Sequence, residues 1–223
     1  MRIGERKGES TDYKAARDEL LKAEIGLKNE RERVAEMRRA LALDGQVEDY
    51  VFKEGPADLD QDGPIVEVRL SELFEKPDKP LMIYQYMFGG AQANPCPMCT
   101  LWMDGFNGLA RHLAEVANVA LVAEAEIADF RALGRQRGWR GLRLVSSENT
   151  TFKADLNFEN ADKAQWPGVS VFVLKDGAVW HSYSASAIMS ENEFRGLDML
   201  NPLWNLLDLT PEGRGDWMPK MTY

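Results

Sequence analysis

The chain has 223 residues, 44% of them apolar, enough for one sizeable core and an extension. Its 27 Lys and Arg face 36 Asp and Glu, and the net charge of −9 argues against a surface that tracks nucleic-acid phosphates. No run approaches the roughly 18 apolar residues of a membrane span. Residues 1–9 lack the apolar centre of a secretory signal, so the expected location is the cytoplasm.

Residues 1–9 are expected to fray. Residues 10–43 then carry a long helical pattern. Tyr13, Leu20, Leu27, Val34 and Leu41 recur every seven residues. Ala16, Ala23 and Met37 share the companion positions with Glu30, and the remainder is largely charged. So narrow a stripe suits either packing on the chain's own domain or a helix pair that builds a homodimer. Residues 44–63 read as loop, short strand at Tyr50-Val51-Phe52, and loop; residues 65–70 alternate as a half-buried strand. Ser71 to Phe74 reads as one helical turn, ended by Pro77 and Pro80.

Residues 81–88 (LMIYQYMF) are nearly all apolar, which predicts a central strand covered on both faces. A loop leads to a helix from Pro97 to about Val116. A second buried strand is expected at 118–125, a helix at 126–138 and a short strand at 142–145. Residues 146–165 read as a polar stretch. Residues 168–174 and 178–183 flank Asp176-Gly177, a strong hairpin signal. Residues 191–209 are expected to be helical, with Pro202 as a kink or start, and the end of the chain to be a surface tail. The order predicts a three-layer α/β fold with a mixed central sheet. The expected division is a helical extension at 1–45, a domain at 46–210 and a tail at 211–223.

The only cysteines are Cys96 and Cys99. A secreted disulfide scaffold would hold more of them. A structural zinc site normally takes four ligands, and His112 and His181 complete no familiar spacing. A pair placed after a buried strand at a helix start has a redox logic. The first sulfur sits beside unpaired backbone N–H groups that favour the thiolate, and the second lies one turn on, placed to attack a mixed disulfide. Pro97 suits the first helical position. No Lys, Arg or His occurs between Lys79 and Arg111, while Asp104 lies within the helix. Any lowering of the Cys96 pKa must come from backbone dipoles or from cations brought in by the fold. Cys96 is thus the expected attacking thiol and Cys99 the resolving one.

The chain resembles the domain of unknown function 899 family, regarded as dithiol–disulfide oxidoreductases with a thioredoxin-like fold. Beyond Cys96-Pro97-Met98-Cys99, the likeness includes the long first helix, Leu70-Ser71-Glu72-Leu73-Phe74, Tyr86-Met87-Phe88-Gly89 and Gly138-Trp139. It continues through Val145-Ser146-Ser147, Gly168-Val169-Ser170-Val171-Phe172, His181-Ser182-Tyr183-Ser184 and Leu207-Asp208-Leu209-Thr210-Pro211. The resemblance implies the fold and a redox class, without a substrate. Thioredoxins look similar but carry a cis-proline whose counterpart falls near Val169, with Pro167 two residues earlier. Their buried acid has Gln85 as its nearest counterpart. Peroxiredoxins look similar at the strand and the Cys-bearing helix start, but Cys96 replaces their Thr if Cys99 is the attacked sulfur.

Other residues carry weaker signals. His181 is either a proton-transfer partner or a structural histidine. Glu124 and Glu126 end the second strand, where an acid would serve the dithiol as a base or cap the next helix. Met98, Trp102, Met103 and Phe106 offer an apolar rim or core packing.

The leading expectation is a thiol–disulfide oxidoreductase without a bound organic cofactor or metal, acting on a protein or small-molecule disulfide. The alternatives are a peroxiredoxin-like thiol peroxidase, and a non-catalytic binding module that keeps the fold. No nucleic-acid or membrane partner is expected. The heptad stripe yields a direct check: light scattering should return the mass of two chains, and the mass of one would remove the homodimer.

Overall fold

The structure, a computed structural model, describes residues 4, 6–43 and 45–223. The expected fraying falls partly on residues 1–3 and 5, outside the described residues. The chain divides into two compact units, Met1–Ala42 and Leu43–Tyr223.

The first unit holds helix α1 (Thr11–Arg39), a little shorter than the pattern suggested. Ser10 caps it by accepting a hydrogen bond from the Tyr13 N–H at 3.2 Å. Asp12 in the first turn and Arg38 and Arg39 in the last complement the helix dipole. Its charged positions pair along the surface, as in Lys22–Glu19, Lys28–Glu32 and Arg33–Glu30.

The second unit is built on a seven-stranded sheet in the order β2-β1-β5-β4-β3-β6-β7. The strands are β1 (Val51–Glu54), β2 (Val66–Arg69), β3 (Leu81–Gly89), β4 (Asn118–Glu124), β5 (Arg143–Ser146), β6 (Gly168–Lys175) and β7 (Ala178–Ser186). β3, β4 and β5 run parallel, while β6 and β7 on one side and β1 and β2 on the other are antiparallel. The parallel strands require crossovers, supplied by α2 (Pro97–Val116) and α3 (Ile127–Arg137). Gly138 ends α3 in the left-handed conformation at φ 71°. Asp176 and Gly177 both take positive φ, as a two-residue hairpin of primed type requires.

Alternation along the strands makes two cores. On one face Tyr84, Tyr86, Leu121, Ala123 and Val169 meet Cys99, Trp102 and Met103 of α2 and Phe130 of α3. On the other, Leu81, Ile83, Val122, Val145 and Phe172 meet Leu70 and Leu73 of a 3-10 turn and Phe152. β3 feeds both faces and is buried from Leu81 to Tyr86 except at Met82. At roughly 1.5–3 kcal/mol for each large apolar side chain, it anchors the domain.

Three segments differ from the sequence reading. The polar stretch holds a short helix, α4 (Phe152–Asp155), whose Phe152 and Lys153 are both buried. The expected helix from 191 is instead a small hairpin, β8 (Ile188–Ser190) with β9 (Glu193–Phe194), then a 3-10 turn and the six-residue α5 (Pro202–Leu207). Arg195 at φ 74°, and Gly196, where a Cβ would lie 2.2 Å from the Ser186 carbonyl oxygen, break any helix there. β2 is an edge strand in which only Val68 is buried. Among the described residues no helix is long and apolar enough to cross a membrane.

Beyond β3, Gly89 takes φ 87°, and a Cβ there would sit 2.0 Å from the Ala125 nitrogen. Gly89→Ala is therefore expected to cost roughly 2–4 kcal/mol through strain and overpacking, read as a fall in the chemical-denaturation midpoint. An unchanged midpoint would contradict this close approach.

Candidate active site

The site begins where β3 leaves its neighbours. Regular pairing with β4 and β6 stops at Gln85, and contact with β4 resumes only at Gly89. Three carbonyls in between find other donors. Tyr86 takes the Lys153 ammonium at 2.7 Å, Met87 takes the Cys96 N–H at 3.1 Å, and Phe88 takes the Ala125 N–H at 2.9 Å. Backbone groups in so buried a place must be satisfied, so the splay itself calls for these partners.

The Met87 bond fixes Cys96 as the N-cap of α2, with Pro97 at the helix start. Its sulfur accepts the Cys99 N–H at 3.4 Å. Thr100 ties the turn down by donating to the Cys96 carbonyl at 2.9 Å, and its hydroxyl lies 2.6 Å from that of Tyr86. Both cysteines are free thiols and approach to 3.3 Å. Cys96 is partly exposed, and Cys99 is fully buried at 0%.

Their acidities diverge accordingly. The Cys99 thiol hydrogen bond, followed by the backbone N–H groups of Cys99 and Met98, draws Cys96 down to about 6 against its burial. Burial, and the thiolate next to it, push Cys99 well above the ordinary thiol range. Among the described residues no side-chain cation contributes to the Cys96 shift; backbone and neighbouring thiol carry it. Asp104, which would oppose a thiolate, is bound by Arg137 and by the Trp139 N–H at 2.8 Å.

The fold does bring a cation near Cys99. Lys153 reaches from α4 to the Tyr86 carbonyl and to Gln165 Oε1, each at 2.7 Å. Gln165 then donates to the Gly89 carbonyl and to Glu124, each at 2.8 Å. Glu124 lies against Glu159, which Lys163 holds at 2.5 Å. Burial pulls Lys153 down to about 8, opposed by Glu124, Cys99 and Glu159. Burial and the bond to Glu159 push Glu124 up to about 7. Burial also acts upward on Glu159, but Glu124 and Lys163 hold it below the usual carboxylate range. Gly90 makes room for this group, since a Cβ there would lie 2.3 Å from Glu124 Oε2.

The sequence reading missed Lys153, Glu159 and Gln165 because they lie in the polar stretch, where burial of a charge leaves no periodic mark. Glu124, at the end of β4, belongs to this buried network rather than capping α3. Glu126 occupies that cap position without a side-chain cap bond. His181 is 2.9 Å from Ser184, which bonds Ser170, which accepts from Gln85. That chain runs on the sheet face opposite the thiols, where Ser170, Phe172 and Gln85 alternate away from Tyr84 and Tyr86. His112 is exposed on α2.

Tyr84, Met98, Trp102 and Pro167 wall a cavity of about 420 Å³ beside the cysteines. Met103 is core, and Phe106 packs edge-on against Tyr84 at 6.0 Å. Pro167 thus lies at the site although Val169 was the counted counterpart, and its peptide bond is trans. The end of the chain also returns here. Trp217 and Met218 line the cavity, and the Met221 carbonyl accepts from Arg137 at 3.0 Å.

Glu124 supplies a pH test. Its raised pKa means the folded state holds a proton that the unfolded state loses between about 4.5 and 7, so this group destabilises the fold as pH rises through that window. Glu124→Gln keeps an acceptor for Gln165 without the charge. Its melting temperature, relative to wild type, should rise from pH 5 to pH 8; a difference independent of pH would contradict the shift.

A model of the family described as bacterial protein of unknown function, DUF899, matches residues 4–223. Solved structures share the fold at low identity. AhpC of Enterococcus faecalis is 11% identical, with a TM-score of 0.50 over 80% of this chain and 98% of that one. A PrxQ mutant of Xylella fastidiosa is 11% identical, with a TM-score of 0.50 over 73% and 95%. The mitochondrial 2-Cys peroxiredoxin of Plasmodium falciparum is 14% identical, with a TM-score of 0.47 over 80% and 100%. No curated protein sequence matches. With its family matched over nearly the whole length and its overall fold shared with the AhpC and PrxQ structures, this chain belongs to the DUF899 family and has a thioredoxin-like fold.

Proposed function

We propose that the protein is a thiol–disulfide oxidoreductase in which Cys96 attacks and Cys99 resolves. The observation that carries this reading is the asymmetry of the pair: a partly exposed thiol drawn down to about 6, beside a fully buried thiol pushed up. The Cys96 thiolate attacks one sulfur of a substrate disulfide, forming a mixed disulfide and expelling the first thiolate. Cys99 then gives up its proton and attacks the Cys96 sulfur. The Cys96–Cys99 disulfide forms, and the second substrate thiol leaves. Two electrons pass to the substrate, and a donor dithiol must return them for the next cycle.

The elements around the pair each serve a step. The α2 N-terminus stabilises the attacking Cys96 thiolate; in the resolving step the Cys96 sulfur is the one attacked and the substrate thiolate is the leaving group. Lys153 favours the Cys99 thiolate once its proton departs, since the two attract. The peroxidase alternative would need peroxide to reach Cys99, and its complete burial weighs against that. The binding-module alternative leaves the opposed acidities without a use.

Cys99→Ser separates the roles. Mixed with a disulfide substrate, it should accumulate a mixed disulfide on Cys96, seen as one adduct by mass spectrometry. Absence of that adduct would reverse or remove the assignment. Reduced wild type should lose two thiols to an insulin-type disulfide faster than to hydrogen peroxide; the opposite preference would favour the peroxidase.

A further inference from the structure

Two hydrogen-bond donors converge on Cys99. The Tyr84 hydroxyl bonds its sulfur, and so does the backbone N–H of Met87. Both come from β3. The Met87 N–H is released from the sheet because regular pairing of β3 stops at Gln85. The other half of the same peptide group, the Tyr86 carbonyl, accepts the Lys153 ammonium at 2.7 Å. A cation on that oxygen polarises the peptide and strengthens its N–H as a donor. Lys153 therefore reaches Cys99 through one peptide unit as well as through space. Among the described residues, the groups that face Cys99 are Cys96 from α2, Tyr84 and Tyr86 from β3, and Lys153 from α4.

The two tyrosines differ in what they bond. The Tyr86 hydroxyl is engaged with Thr100 at 2.6 Å. Tyr84 is 3% exposed, and a phenol so buried normally finds a partner; here the partner is the Cys99 sulfur. Burial, with the two cysteines beside it, holds Tyr84 well above the ordinary phenol range, so next to a thiolate it stays a donor.

We infer that the Tyr84 hydroxyl is a catalytic donor: with the Met87 N–H, which Lys153 reinforces from the Tyr86 carbonyl, it receives the Cys99 thiolate in the resolving step. The inference rests on the dithiol reading and adds how a fully buried thiol is made to attack. Overall, Cys99–SH and the mixed disulfide Cys96–S–S–R give the Cys96–Cys99 disulfide and R–SH. The new S–S bond takes its electron pair from Cys99, and the broken one leaves its pair on the departing sulfur. The proton lost by Cys99 balances the one that sulfur gains. Lys153 touches none of the reacting atoms and is a positioning residue.

The test uses 4,4′-dithiodipyridine, which releases one thiopyridone when Cys96 attacks and a second when Cys99 resolves. Losing one hydrogen bond to its charged form should make Cys99 about tenfold or more less acidic. The remaining thiolate is more nucleophilic, with a Brønsted slope of about 0.4–0.5, which offsets part of the loss. Tyr84→Phe, which keeps the ring against Phe106, should therefore slow the second release about three- to tenfold at pH 7 and the first by less than about twofold. In Cys96→Ser protein Cys99 is the sole cysteine, and its Cβ resonance reports its ionisation. Adding Tyr84→Phe should raise that midpoint by about one pH unit or more. Lys153→Met should raise the same midpoint, a change that a purely structural lysine would not produce. Tyr84→Phe decides the matter even if Lys153→Met does not fold. A second release and a midpoint both untouched by Tyr84→Phe would overturn the inference, as would equal slowing of both releases with the midpoint unmoved. A midpoint untouched by Lys153→Met would overturn the part assigned to Lys153. A wild type that releases only one thiopyridone would overturn the dithiol reading itself, and this inference with it.

Discussion

The site depends on β3 parting from its neighbours after Gln85. A strand buried in the middle of a sheet cannot leave its carbonyls unpaired. The Tyr86, Met87 and Phe88 carbonyls are therefore answered by Lys153, Cys96 and Ala125 in turn. One bond places the first cysteine at the cap of α2. Another recruits a buried ammonium from a different part of the chain. The third brings the Gly89 turn onto Glu124 and Ala125, where only glycine fits.

From that geometry the chemistry follows by burial and dipoles. Cys96 receives the helix-start N–H groups and the Cys99 hydrogen bond, so its charged form is favoured. Cys99 sits deeper, among Tyr84, Tyr86 and the α2 core, so its neutral form is favoured. Lys153 and Glu124 titrate closer to neutrality than an exposed lysine or glutamate because they share one buried network with Gln165 and Glu159. A broken member would leave its partners as uncompensated buried polar groups, typically a cost of about 3–5 kcal/mol for a charge. The network accordingly couples the stability of the β3 end to the electrostatics of the dithiol.

Much of the architecture was legible in the sequence because apolar runs and turn residues report it directly. Leu81 to Phe88, Pro97 at a helix start, Gly138 at a helix end and Asp176-Gly177 each name their element through one physical preference. The placement of the cysteine pair at a helix start was legible for the same reason. Lys153 was not: a charged residue in a polar stretch reads as solvated, and only the tertiary fold shows that the Tyr86 carbonyl needs it. The end of the chain was misleading likewise. Residues 211–223 read as a surface tail, yet Trp217 and Met218 line the cavity by virtue of contacts distant in sequence. The segment from 191 kept helical spacing on paper, but Arg195 and Gly196 turn the backbone before a helix can form.

The central claim is that Cys96 is a thiol held largely as thiolate at neutral pH while Cys99 is not. Thiolate absorbance near 240 nm, followed against pH in reduced wild type and in Cys96→Ser, tests it most directly. The account predicts one thiolate appearing in wild type with a midpoint of about 6, and its loss in Cys96→Ser. A first midpoint in the ordinary range of about 8.5, or a low midpoint that survives Cys96→Ser, would contradict it.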